Sequence, residues 1–103
     1  MRYNKLVRDK IPQICQNRGQ MPITRTLSED EFVTELKKKL QEEVSEFLEH
    51  SNPAELIDIL EVIYALATVH GVTKEQLEDM RLQKAEARGG FEDRVYLFEV
   101  KRS

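Results

Sequence analysis

Between Glu42 and Glu61 the chain reads EEVSEFLEHSNPAELIDILE. Two acidic pairs, Glu43-x-x-Glu46 and Glu55-x-x-Asp58, flank a short polar break that contains Pro53. Residues three apart on a helix share a face, so each pair sends two carboxylates in one direction. Four carboxylates gathered in a partly apolar groove repel one another and lose hydration. Without partners, each costs several kcal/mol or takes up a proton. Basic side chains or hard divalent cations relieve that burden. A carboxylate-only set with no histidine or thiol points to Mg²⁺ or Mn²⁺ rather than zinc. Mg²⁺ held by few carboxylates keeps waters and also binds substrate phosphates, so hydrolysis at phosphorus is the implied chemistry. Glu-x-x-Glu by itself is a common feature of solvated helix faces. Two such pairs facing each other across a tight turn, partly on apolar faces, are more specific.

The acids need a hairpin to bring them together, and the flanking sequence supplies one. Before the break, Phe32, Leu36, Leu40, Val44, Phe47 and Leu48 recur at helical spacing, with Ser28 and Glu31 as a capping box. Pro53 disfavours helical geometry at the residue before it, which ends the first helix near residue 50. Asn52 is placed to cap the second helix, Pro53 suits its first position, and Gly71 supplies its stop after about His70. A connection this short makes the helices antiparallel neighbours. Glu43 then projects inside the apolar arc of Phe32, Leu36 and Phe47. The second helix is apolar nearly all round, from Leu56 to Val69, and such helices are buried on several sides.

Elsewhere the chain is less specific. Residues 2–10 read as a basic extended arm, either solvated or reaching with Lys5, Arg8 and Lys10 towards an anionic ligand or a partner subunit. A small helix is expected at about 11–18, and a short edge strand or extended loop at 21–27. A third long helix, capped by Thr73 and Gln76, runs to about Arg88 and ends at Gly89-Gly90. Its Arg81, Lys84 and Arg88 form a basic stripe that as a charge pattern alone reads first as a solvated face, and beside the glycine pair and an acidic metal groove also as an anion contact. The tail alternates apolar and polar residues from Val95 onward, so a strand is expected there, paired with 21–27 or with another subunit. His50 and His70 make no metal spacing and read as structural or surface residues.

The 103 residues suit one domain, 1–103. Charged residues make up 34% yet the net charge is only −3, so no basic field points to a nucleic-acid polymer. The one cysteine, Cys15, rules out an internal disulfide, and with the charged N-terminus a cytoplasmic setting is expected. The apolar run within 56–69 carries Asp58 and Glu61 and is too short to span a bilayer, so no membrane partner is expected. The expected fold is mainly α: an antiparallel helical hairpin, a third long helix and a small β element from the C-terminal tail. A chain this small buries only about two-thirds of its unfolded surface, so oligomerisation is expected to complete the bundle.

The acidic pairs Glu43-x-x-Glu46 and Glu55-x-x-Asp58 resemble the signature of the MazG-like, all-α nucleoside triphosphate pyrophosphohydrolase superfamily. The opening YNKLVRDKIP and the closing KAEARGGF look like a small branch related to phosphoribosyl-ATP pyrophosphohydrolase. The resemblance spans nearly the whole chain, although the connector between the acidic pairs is shorter than in most of the superfamily. It implies Mg²⁺-dependent cleavage between the α and β phosphates, releasing a nucleoside monophosphate and pyrophosphate. It further implies Glu43, Glu46, Glu55 and Asp58 as metal ligands, Glu42 and Glu61 as candidates to position the attacking water, and Lys84 and Arg88 as phosphate contacts. A homodimer or homotetramer is implied as well. Two alternatives stand beside this one: phosphoribosyl-ATP hydrolysis in histidine synthesis, and a non-catalytic helical dimerisation or regulatory module.

Overall fold

The structure is a computed structural model that describes residues 1–102. Four helices occur among the described residues: α1 (Ile11–Asn17), α2 (Glu29–His50), α3 (Pro53–Val69) and α4 (Lys74–Arg88). The protein is mainly α. Each long helix starts where its sequence gives a side-chain cap. Ser28 accepts from the Glu31 N–H at 3.3 Å while Glu31 accepts from the Ser28 N–H at 3.1 Å. Thr73 and Gln76 make the same reciprocal pair at the start of α4, at 3.1 and 2.9 Å.

Two residues join α2 to α3. Ser51 adopts a left-handed conformation (φ 51°) and returns its N–H to the Phe47 carbonyl at 2.7 Å, closing α2. Asn52 accepts from the Ala54 N–H at 3.0 Å, and Pro53 opens α3 at the position where its missing N–H is not needed. So short a turn folds α3 back along α2, and these two helices make the main packing contact. Leu36 and Val62 sit at the heart of that seam, 3% and 8% exposed. Gly71 (φ 77°) then turns the chain so that α4 departs from α3 at 105°; it packs on α3 and not on α2. No single helix among the described residues is long and apolar enough to cross a membrane.

One hairpin cannot cover a helix that is apolar all round. Burial of α3 on several sides is therefore not met within one chain: Leu56, Ile57, Leu60 and Ile63 are exposed on its outer face. The whole chain leaves 9780 Å² accessible, against about 6,000 Å² for a compact monomer of this mass. Its radius of gyration is 18.6 Å, against about 13 Å for a compact domain of this length.

The β element expected from the tail is not formed in the single chain. No strand occurs among the described residues, and neither 21–27 nor 95–101 pairs with anything. The tail's Val95, Tyr96, Leu97, Phe98 and Val100 stand exposed, with Tyr96 and Phe98 stacked only on each other, edge to face at 5.3 Å. The alternating pattern reports a preference for extended backbone, but a ladder needs a neighbouring strand, and this chain brings none to the tail.

The start of α2 depends on one charge arrangement. The Arg25 guanidinium grips Glu31 through two hydrogen bonds of 3.1 and 2.7 Å. That grip, aided by the Ser28 N–H and hydroxyl, holds the Glu31 carboxyl down at about 2. A carboxyl depressed in the folded state contributes stability that is complete above its ordinary value and disappears as the pH falls towards 2. Ser28→Ala should lower stability by about 1 kcal/mol, or roughly 4–8 °C in Tm. Thermal unfolding at neutral pH checks this, and the deficit should shrink in acid as Glu31 protonates; a constant deficit would separate the cap from the Arg25–Glu31 pair.

Candidate metal centre

Glu43 lies on the inner face of α2, one turn beyond Lys39 and two turns beyond Leu36. Because that face packs on α3, Glu43 is buried with the hydrophobic seam and only 8% exposed. Glu55 and Asp58 come from the first two turns of α3, and the two-residue turn places them across from Glu43. One carboxylate oxygen from each of Glu43, Glu55 and Asp58 lies within 4.8 Å of the others. Glu46 is half-buried and stands outside this triad of oxygens, yet its charge acts on Glu43. Glu42 and Glu61 are exposed on the rims of the two helices.

Burial, followed by repulsion from Glu46, pushes the Glu43 carboxyl above its usual range, against a pull from Lys39. Lys39 is one helical turn away, with its Nζ 3.7 Å from Glu43 Oε1, outside hydrogen-bonding distance. Asp58 is better served: Arg8 Nη2 donates to Asp58 Oδ1 at 2.7 Å. His50 Nδ1 approaches Glu55 Oε1 at 3.9 Å. The three carboxylates of the triad, with Glu46 and Glu42 also acting on Glu43, outnumber the two lysine and arginine cations alongside them, Arg8 and Lys39.

The donor set fits such an ion. Opposite ligands of an octahedral Mg²⁺ stand about 4.2 Å apart, given bonds of about 2.1 Å. At most one pair among three donors can stand opposite, and the other pairs stand about 3.0 Å apart. Oxygens within 4.8 Å of one another thus reach a common ion by closing about 1–2 Å, a movement open to rotamer changes of the three helix-borne side chains. All three donors are hard oxygens. The two shallow depressions elsewhere, at Arg25–Glu35 and at Gly71–Met80, lie away from the acids.

The cations named from the sequence divide into two groups. Arg8 reaches the acids from fifty residues upstream. Lys5 instead lies over the Tyr3 ring at 5.8 Å. Lys84 and Arg88 are exposed on α4, beyond the 105° turn that follows about 16 Å of helix after Asp58. Within one chain the ion pairs that reach the triad come from Arg8, Lys39 and His50. Arg81, third of the stripe, pairs with Glu78 on its own helix. Sequence reading missed Lys39 and His50 as neighbours of the acids. The four-residue step from Lys39 to Glu43 was visible, whereas the approach of His50 to Glu55 depends on the angle of the turn.

No family model and no solved structure matches the chain. An uncharacterized protein of Mycolicibacterium smegmatis is 50% identical over 42 residues, which span 41% of this chain and 43% of that relative. The match thus covers less than half of the relative's length and carries no activity with it.

Because the folded state raises the Glu43 carboxyl, any stability it lends is complete below the ordinary glutamate range. It is lost as the pH rises through the folded value. Glu43→Gln, which keeps the shape and removes the charge, should therefore raise Tm in EDTA at about pH 8 and change it little at about pH 4, below the ordinary glutamate value. Thermal unfolding at the two values reads this; a lower Tm at the higher pH would mean that Lys39 already compensates the carboxylate.

Proposed function

We propose that the protein is a Mg²⁺-dependent nucleotide pyrophosphohydrolase, cleaving a nucleoside triphosphate or related nucleotide between the α and β phosphates. The observation that carries this reading is the convergence of Glu43, Glu55 and Asp58 within 4.8 Å around a buried, weakly paired carboxylate. The acidic and terminal motifs quoted from the sequence support it by resemblance. Glu43, Glu55 and Asp58 would hold the ion, with Glu46 able to join them by rotation. The ion, Mg²⁺ or Mn²⁺, would supply charge neutralisation at phosphate and acidify a water. Glu42 and Glu61, adjoining the ligands, would orient that water. Arg8 would meet phosphate oxygens beside the acids, with Lys5 on the same arm, while Lys84 and Arg88 would join the proposed phosphate contacts only from a second copy of the chain. Phosphoribosyl-ATP is a second candidate substrate for the same site.

A second copy of the chain is part of the proposal. The surplus of more than 3,000 Å² over a compact monomer, estimated from mass, is of the size that obligate interfaces bury. The outer face of α3, with Ile57 and Leu60, and the apolar tail are the surfaces a homodimer or homotetramer would cover. The same exposed face also favours a non-catalytic dimerisation module, which would assemble without turning over nucleotide.

Incubation with a nucleotide panel and Mg²⁺ should release pyrophosphate and the nucleoside monophosphate, as followed by anion-exchange chromatography. Release of single phosphate would reassign the reaction, and no release from any nucleotide would favour the module. Asp58→Asn should abolish turnover while the far-ultraviolet circular dichroism stays unchanged; full activity would remove Asp58 from the site. Sedimentation velocity should give a dimer or tetramer, reduced to a smaller species by Ile57→Asp with Leu60→Asp. A monomeric wild-type protein would overturn the proposed assembly.

A further inference from the structure

The Arg8–Asp58 contact is unlike the other side-chain hydrogen bonds of the described residues, which join positions no more than six apart. Among the described residues it is the side-chain hydrogen bond that joins the N-terminal segment to the helical hairpin. The helix that follows this segment, α1, packs on no other helix. Leu6 and Val7 beside Arg8 are only half-buried, so little apolar packing holds the segment in place. The attachment of residues 1–17 to the rest of the chain therefore leans on one guanidinium, itself half-exposed, at the edge of the acidic triad.

That position cannot serve two cations equally. Asp58 is both the acceptor for Arg8 and a member of the triad. A divalent ion drawn to the triad takes up the Asp58 charge that Arg8 now balances, and it repels a guanidinium lying one hydrogen bond away. A planar guanidinium released there is well suited to phosphate, which it binds through two parallel hydrogen bonds. Resting on the metal reading above, we propose that Arg8 is an exchangeable counter-ion. It neutralises Asp58 in the ion-free protein, leaves Asp58 when a divalent cation enters, and then grips the polyphosphate that arrives with the cation. The N-terminal segment is thereby a strap that loosens on ion binding and closes on the anionic substrate.

The exchange is tested with Mn²⁺ alone, and with Mn²⁺ plus inorganic tripolyphosphate, on the full chain. Titration of free Mn²⁺ by electron paramagnetic resonance should show Arg8→Gln binding the ion about two- to five-fold more tightly than wild type, the range set by an exposed ion pair. Amide hydrogen exchange of residues 2–10 in the wild type should speed up with Mn²⁺ and slow again once tripolyphosphate is added. Arg8→Lys, which keeps the charge but loses the fork, should bind Mn²⁺ much as wild type does yet fail to restore protection with tripolyphosphate. Equal Mn²⁺ affinity in wild type and Arg8→Gln, with exchange of residues 2–10 indifferent to both additions, would overturn the strap while leaving the metal centre standing. Failure of every form to bind Mn²⁺ at millimolar concentration would remove the metal centre and the exchange together.

Discussion

Glu43, Glu55 and Asp58 share a space in which their charges are not balanced by the chain alone. The hairpin is responsible: a two-residue turn leaves α3 no path but back along α2, and Glu43 lies on the face that α2 gives to that contact. Turning Glu43 outward would expose Leu36 as well, since both share one stripe of the helix. The apolar seam and the acidic cluster are thus consequences of the same packing. The first supplies the stabilisation that makes the second tolerable.

Compensation around the cluster is graded. Asp58 has a short, directional bond to Arg8; Glu55 has a distant histidine; Glu43, the most buried, has only a long approach from Lys39. The least solvated carboxylate thus has a cation near it but no hydrogen bond to one, whereas the more exposed Asp58 has both. The proposed cation would supply the close positive charge that Glu43 lacks.

The seam between α2 and α3 is thin for a chain of this length. Leu36 and Val62 are its buried apolar residues among those described, while the outer side of α3 and the tail remain uncovered. Helix α4 does not remedy this, because Gly71 directs it away across α3 instead of back beside the hairpin. The proposed second copy and the proposed site therefore answer separate needs of one helix: its outer face requires apolar cover, and its N-terminal turns require positive charge.

Much of the local structure was legible in the sequence, because its determinants are neighbours in the chain. Ser28 with Glu31, Asn52 with Pro53 and Thr73 with Gln76 set the helix starts through contacts spanning two or three residues. The burial of Glu43 followed from its place in the stripe of Leu36 and Phe47. Tertiary structure alone decided which acids converge: Glu55 and Asp58 meet Glu43 while Glu46 stands apart, since this depends on the rotation of α3 about its axis after the turn. It also decided that Arg8 reaches Asp58 across fifty residues, that Lys84 and Arg88 lie on α4 beyond the turn at Gly71, and that the tail finds no strand to pair with among the described residues. Caps and stripes are encoded within a turn or two of helix. The meeting of distant side chains depends on interhelical angles that no short stretch of sequence specifies.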